Sequence, residues 1–368
     1  MNKKKIVIAS ILKPVDDTRM YEKMGLSLSK SGQYSVHIIG FSVNPLPEAD
    51  HITFHPIFNF SRLSISRLLA PLKCYRQLKH IKPKTLIINS HELLFIGFIY
   101  SLFNKSRLIY DVRENYYRNI LYTNTFPMLI RPILAGWVRL KEYLSHLFVD
   151  HYFLAEQYYE QEFSFTKGKS TVVENKYQPL GHDTVPLNHN PSNLKLLFSG
   201  TLAKSTGVYE AIDLAISLHA VNPDVTLDII GYSPIKSVVD NIKNRIESFY
   251  FITLTGGNKL VSHDSVISKI RQASFGIIFY PSNKSTINST PTKLYEYLAN
   301  QLPIIVQNHT KWKALCKENS AGIVVDFNDY SAEKFLENMV SQEYYLNTNN
   351  SLFLWENEAI KFLQKIDI

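Results

Sequence analysis

Short apolar runs alternate with amphipathic stretches along the 368 residues, and the alternation stops once and restarts. In the first half the expected strands are Ile6–Ile11, Ser35–Gly40, Thr85–Asn89, Arg107–Asp111, Val149–Leu154 and Ser170–Glu174. Between them helical patterns fall at Thr18–Ser31, Ser64–His80, Leu93–Phe103, Leu129–His146 and Glu156–Phe163. A polar stretch rich in Asn and Pro, Asn175–Asp183 and Asn188–Asn193, then reads as a linker. After it the strands are Leu194–Ser199, Val225–Ile230, Phe251–Thr255, Gly276–Tyr280, Pro303–Gln307 and Gly322–Asp326. Helices are expected at Val208–Ala220, Ile235–Ser248, Ser262–Gln272, Pro291–Asn300 and Ala332–Ser341. Strands that are apolar throughout, each followed by a helix, make parallel sheets covered on both faces. The expected fold is therefore α/β, with two Rossmann-like domains.

Length agrees with more than one core. A charged fraction of 20% and a hydrophobic fraction of 45% are those of a globular chain. Cys74 and Cys316 stand far apart, without metal-ligand spacing, and fit a reducing, cytoplasmic setting. The run Ile6–Ile11 after Lys3-Lys4-Lys5 is too short for a signal peptide, and no run approaches the ~18 apolar residues that span a bilayer. Charge is uneven: residues 1–185 carry 24 Lys and Arg against 15 acids, residues 186–368 carry 16 against 17. The first half is thus expected to meet something anionic. No Gly-x-Gly-x-x-Gly follows the first strand and no P-loop occurs, which argues against dinucleotide dehydrogenases and P-loop enzymes.

Ligands of such sheets bind beyond the carboxyl ends of the strands. The polar residues there include Arg19, His91 with Glu92, and Asp111, Arg113 and Glu114 in the first half. Arg19 is expected either to touch a phosphate or acceptor, or to pair with Asp16 or Asp17. In the second half Gly200, Thr201, Leu202 and Lys204 run from a strand into a helix, and Gly231 follows the next strand. The segment Thr290-Pro291-Thr292-Lys293-Leu294-Tyr295-Glu296 reads as a helix start. Thr290 is placed as the cap and Pro291 at the first helical position. A lysine in the first turn opposes the helix dipole unless an anion lies nearby, and such a start can hold a phosphate. Glu296, one turn on, would reach whatever the phosphate carries.

These residues resemble the retaining glycosyltransferases of family 4, which have the GT-B architecture of two Rossmann-like domains facing across a cleft. The resemblance spans nearly the whole chain. Its most specific part is Pro291–Val306, followed by Phe198–Leu202 with Gly207-Val208. It implies an acceptor-binding domain over 1–180, a donor-binding domain over 190–345, and a terminal helix within 346–368 around Trp355-Glu356 that returns to the first domain. It further implies a metal-independent enzyme with no cofactor other than its nucleotide-sugar co-substrate. The sugar would pass to a glycan or polyprenyl-linked acceptor with its anomeric configuration kept, in surface polysaccharide or glycoconjugate synthesis. Glu296 matches the glutamate that grips the ribose hydroxyls. Backbone at Gly200–Leu202 and Thr290–Thr292, with Lys293 or Lys204, would hold the diphosphate. Two departures stand out. Asn288 occupies the place of a second glutamate near the donor sugar, and Thr201 and Thr206 replace the usual basic pair. His91, Asn288 and Lys293 are the expected catalytic residues. Arg19, Asp111, Arg113 and Glu114 are the expected acceptor contacts.

Two basic, aromatic-bearing stretches, Phe58–Lys84 and Phe126–Leu147, fit either association with the inner face of an anionic membrane or helices that simply pack on the sheet. They lack a nucleic-acid reading motif, and no nucleic-acid partner is expected. The alternatives are a nucleotide-sugar hydrolase or epimerase of the same fold, and a non-catalytic sugar-nucleotide-binding partner of another transferase.

Overall fold

A computed structural model describes residues 3–366, apart from 44, 61–63, 124–125, 180–189, 191–192, 282–283 and 347–348. Most of the expected linker, together with Arg62, Leu63, Ser282 and Asn283, lies outside the described residues. The chain divides into two compact units, Met1–Gln178 with Trp355–Ile368, and Pro179–Leu354.

The first unit holds strands β1 (Lys4–Pro14), β2 (Tyr34–Phe41), β3 (Ile52–Phe58), β4 (Thr85–Ile88), β5 (Arg107–Val112), β6 (His151–Leu154) and β7 (Ser170–Val172). All pair in parallel, in the order β3-β2-β1-β4-β5-β6-β7. The order reverses between β1 and β4, which is where a doubly wound sheet opens a crevice. Strand β3 was not expected from the sequence, because Pro56 and the polar Thr53 and His55 break its apolar run. An edge strand pairs on one side only and tolerates proline there. A helix at Tyr116–Tyr122, capped by Asn115, is likewise additional. The stretch Thr18–Gly25 winds as a wider π-helix, with the Asp17 carboxylate accepting from the Arg19 and Met20 amides.

One face of this sheet is covered by helices Ser66–Ile81, Leu94–Asn104 and Arg131–Ser145. The terminal helix Trp355–Ile366 packs on the other face, where Trp355, Phe362 and Ile366 join Ile6, Ile8 and Val36 in one core. Its Glu358 carboxylate is fully buried, accepts from the Glu174 amide at 3.0 Å and pairs with Lys176 at 2.9 Å.

The second unit holds β8 (Lys195–Thr201), β9 (Thr226–Tyr232), β10 (Ile252–Gly257), β11 (Phe275–Ile278), β12 (Ile304–Gln307) and β13 (Gly322–Val325), parallel in the order β10-β9-β8-β11-β12-β13. The reversal here lies between β8 and β11. Its core is built of apolar residues from β8, β9 and the helix Val208–Val221. A helix at Thr310–Glu318 was not expected. It is capped by His309, an uncommon cap, and carries only a narrow buried stripe of Trp312 and Cys316. Cys74 and Cys316 are buried free thiols.

Candidate functional site

In the second unit the helix Thr292–Ala299 lies against the carboxyl end of β8. Tyr297 is fully buried and its hydroxyl meets the Ser199 hydroxyl at 2.8 Å. Lys293, one turn earlier, donates from Nζ to the Ser199 carbonyl at 3.4 Å. The same Nζ lies 4.1 Å from the centre of the Phe198 ring and 5.2 Å from that of Tyr280. Phe198 belongs to β8 and Tyr280 follows β11, so the ammonium sits at the point where the strand order reverses. Burial pulls the Lys293 pKa down to about 7, against the Glu296 carboxylate, which raises it. Burial also raises the Tyr280 hydroxyl, with the Glu296 charge adding to the effect.

Glu296 is 13% exposed, and its Oε1 lies 3.2 Å from Nε2 of His263. That carboxylate already has one protein partner, so a ligand hydroxyl would share or displace this contact. His263 opens the helix His263–Gln272, whose start is fixed by the Ser262 hydroxyl accepting from the Ser265 amide.

The helix begins at Thr292 with Pro291 in extended backbone as the cap, one residue later than expected. Thr290 therefore does not cap it, and no side chain does. Proline supplies no N–H, while its fixed φ suits this entry. Asn288 lies half-buried in the preceding turn. That turn is pinned from the far side. His309 Nε2 meets the Ile287 carbonyl at 2.7 Å, Trp312 Nε1 donates to the Ser289 carbonyl at 3.0 Å, and the two rings stack at 4.1 Å.

The glycine loop answers the sequence expectation in part. Gly200, Thr201 and Lys204 are exposed at the end of β8. Leu202 is corrected: it is fully buried and its amide donates to the Tyr232 carbonyl at 2.9 Å, which commits it to the sheet. Thr206 turns its hydroxyl back to the Thr201 carbonyl at 2.6 Å and braces the loop where the resemblance expected a cation. Gly231 is buried in β9, where a Cβ would stand 1.8 Å from the Gly200 carbonyl oxygen. It serves close strand approach and has no surface to offer a ligand.

In the first unit Arg19 and Asp111 are fully buried and paired with one another at 2.6 and 2.8 Å. Arg19 also donates to the Val173 carbonyl, and Asn89 donates to Asp111 at 2.5 Å. Both residues were expected to face an acceptor, and Arg19 alternatively to pair with Asp16 or Asp17. The structure instead closes them on each other beneath the strand ends. Arg113 binds Asp17 at 2.8 Å, and Glu114 pairs with Lys13 at 2.9 Å nearer the surface. Burial pushes the Asp17 carboxyl up, but the Arg113 guanidinium outweighs it and holds the group at about 2. His91 follows β4, with Nδ1 3.0 Å from Lys141 Nζ and its ring edge-on to Tyr116. Burial holds His91 neutral, with a pKa of about 4, although Glu92 opposes the shift.

Sequence reading missed His263, His309 and Trp312, and took Tyr280 only as one of the polar residues after a strand end. Only the cap at Ser262 gave a local signal. The others matter because distant segments converge. Among the described residues no three His, Cys, Asp or Glu side chains gather as an ion would need.

Two solved proteins superpose on almost the entire chain. Sucrose-phosphate synthase from Thermosynechococcus elongatus does so with a TM-score of 0.70 at 12% identity, over 99% of this chain and 98% of that one. Anabaena HepE, solved with UDP and glucose, does so with a TM-score of 0.67 at 12% identity, over 99% of both chains. The fold is GT-B. AviGT4, a glycosyltransferase involved in avilamycin A biosynthesis, matches with a TM-score of 0.59 at 11% identity, over 98% of this chain and 96% of that one. By sequence, residues 231–355 match the family described as glucosyltransferase 3-like, C-terminal domain. No curated protein matches the chain.

Proposed function

We propose that this GT-B chain is a metal-independent glycosyltransferase that takes a sugar from a nucleoside diphosphate and passes it, with retention, to a glycan or lipid-linked acceptor. One observation carries the reading: a buried lysine and a half-buried glutamate one turn apart, at the switch point of the second sheet. Glu296 would accept hydrogen bonds from the ribose hydroxyls, a charge-assisted pairing. His263 positions that carboxylate. Lys293, whose pKa burial draws down to about 7, would be held charged beside the diphosphate and stabilise the charge that grows on the leaving group. Exposed backbone at Gly200 and Thr201, with Lys204 and the Thr290–Thr292 entry, completes the diphosphate site. Asn288 addresses the donor sugar as a neutral hydrogen-bonder. HepE solved with UDP-glucose makes UDP-sugars the first donors to test. Acceptor binding falls to the first unit, with His91, Arg113 and Glu114 near the ligand and Arg19 and Asp111 positioning them. The setting is the cytoplasm, at the inner face of a membrane, in surface polysaccharide or glycoconjugate synthesis.

The test is turnover of UDP-sugars with and without candidate acceptors, followed by NMR of the anomeric proton. The reading expects acceptor-dependent UDP release and a retained configuration. It expects Glu296→Ala and Lys293→Met to lower the rate by about a hundredfold or more, as loss of an electrostatic group at the leaving phosphate does. Sugar released to water, isomerised donor, or tight donor binding without turnover would contradict it and favour the hydrolase, epimerase or non-catalytic alternatives.

A further inference from the structure

The three helices on one face of the first sheet form a layer whose outer surface is bare. They connect β3 to β4, β4 to β5 and β5 to β6, successive steps in one direction across the sheet, so they lie side by side. Of the 27 large apolar side chains exposed among the described residues, 17 fall between Ile65 and Leu147. The helix on the opposite face, Trp355–Ile366, exposes only Ile360. Leu68, Phe103, Leu129 and Ile133 are 77%, 76%, 88% and 72% exposed. An uncovered apolar surface of this extent marks an interaction site.

Charge selects the occupant. Residues 64–84, 93–105 and 126–147 carry ten Lys or Arg and a single acid, Glu142, whose side chain is fully buried. Lys73, Arg76 and Lys79 are exposed beside the apolar residues. Arg67 and Arg139 are already paired, with Glu92 and Glu162, so a second copy seated face to face would set the exposed Lys73, Arg76 and Lys79 against their own like, because a two-fold interface sets one patch on itself. Apolar side chains interleaved with cations are what an anionic bilayer surface takes up. We infer that this three-helix layer seats the protein on an anionic lipid surface, with Leu129, Ile133 and Trp137 entering the headgroup boundary. The inference deepens the membrane placement proposed above and does not depend on the donor site. The helix Arg131–Ser145 also carries Lys141, which contacts His91, so the seated surface and a candidate acceptor residue share one rigid element.

The chain carries its own probe. Of its three tryptophans, Trp312 and Trp355 are fully buried, whereas Trp137 is 58% exposed. The experiment adds phosphatidylcholine vesicles, with or without phosphatidylglycerol, to the full chain without any donor, and reads tryptophan emission and co-sedimentation. A blue shift and co-sedimentation are expected with phosphatidylglycerol only, weakening as salt rises. Leu129→Asp with Ile133→Asp is expected to reduce the bound fraction by about tenfold, and Lys73→Glu with Arg76→Glu to do the same. These side chains point to solvent, and an unchanged melting temperature confirms that each variant folds. No binding to either vesicle, equal binding to both, or a concentration-dependent dimer abolished by the Leu129 and Ile133 changes would overturn the inference. Loss of donor turnover would leave it standing.

Discussion

At the residue scale the donor site centres on Lys293. Its ammonium is sealed between Phe198, Tyr280 and the Ser199 carbonyl, and burial depresses its pKa from 10.5 to about 7. The unfolded chain therefore binds more protons than the folded one between about pH 7 and 10, and stability rises with pH across that window. The cost is present in full below about pH 7 and falls progressively as pH rises towards the unfolded value of 10.5. Lys293→Met should flatten this slope, read as melting temperature against pH. A diphosphate favours the charged lysine, so donor binding near pH 8 should take up a proton, visible in calorimetry as a dependence on buffer ionisation heat, and Lys293→Met should abolish it. That Lys293 and Glu296 share one helix was legible in the sequence, because both fall in one helical segment with a proline entry. The approach of His263 to Glu296 and of Tyr280 to Lys293 was not, since each arrives from a separate strand end and only the fold brings them to this helix. Arg19 was legible as a special residue but not in its role: an arginine near a strand end reads as a ligand contact until the structure shows Asp111 closing on it.

At the scale of elements, strand pairing and helix anchoring set the geometry. Gly231→Ala would drive a Cβ into the Gly200 carbonyl and part β8 from β9, and should cost about 3 kcal/mol in denaturant unfolding. Tyr297→Phe removes the bond to the Ser199 hydroxyl and should cost about 1 kcal/mol, loosening the helix that carries Glu296. Most strands and helices were readable from period and punctuation, to within a few residues at their ends. Strand β3 escaped because an edge position excuses its proline and polar residues. The helix Thr310–Glu318 escaped because histidine replaces the usual cap and its buried face is narrow. Both failures have one physical source: tertiary context supplied what local propensity lacked.

At the scale of the molecule the chain leaves its first unit at Gln178 and returns at Trp355. The returning helix closes the first core with Trp355 and Phe362 and sinks Glu358 onto Lys176 and the Glu174 amide. Truncation before Trp355 should lower or abolish the melting transition of the first unit while leaving that of Pro179–Leu354 in place, as calorimetry would resolve. The doubling of the α/β pattern was plain in the sequence, whereas the bare three-helix layer was not, since periodicity marks a helix without saying which of its faces finds a partner. The central claim is that Glu296 and Lys293 together hold a nucleoside diphosphate sugar, and a melting-temperature panel of UDP-, GDP- and TDP-sugars tests it most directly, because a ligand bound only to the folded state raises its melting point. One nucleotide class should stabilise the protein, with affinity lowered about tenfold to a hundredfold in Glu296→Ala, the worth of a hydrogen bond to a charged group. No shift with any of them, or a shift that Glu296→Ala leaves intact, would contradict the account.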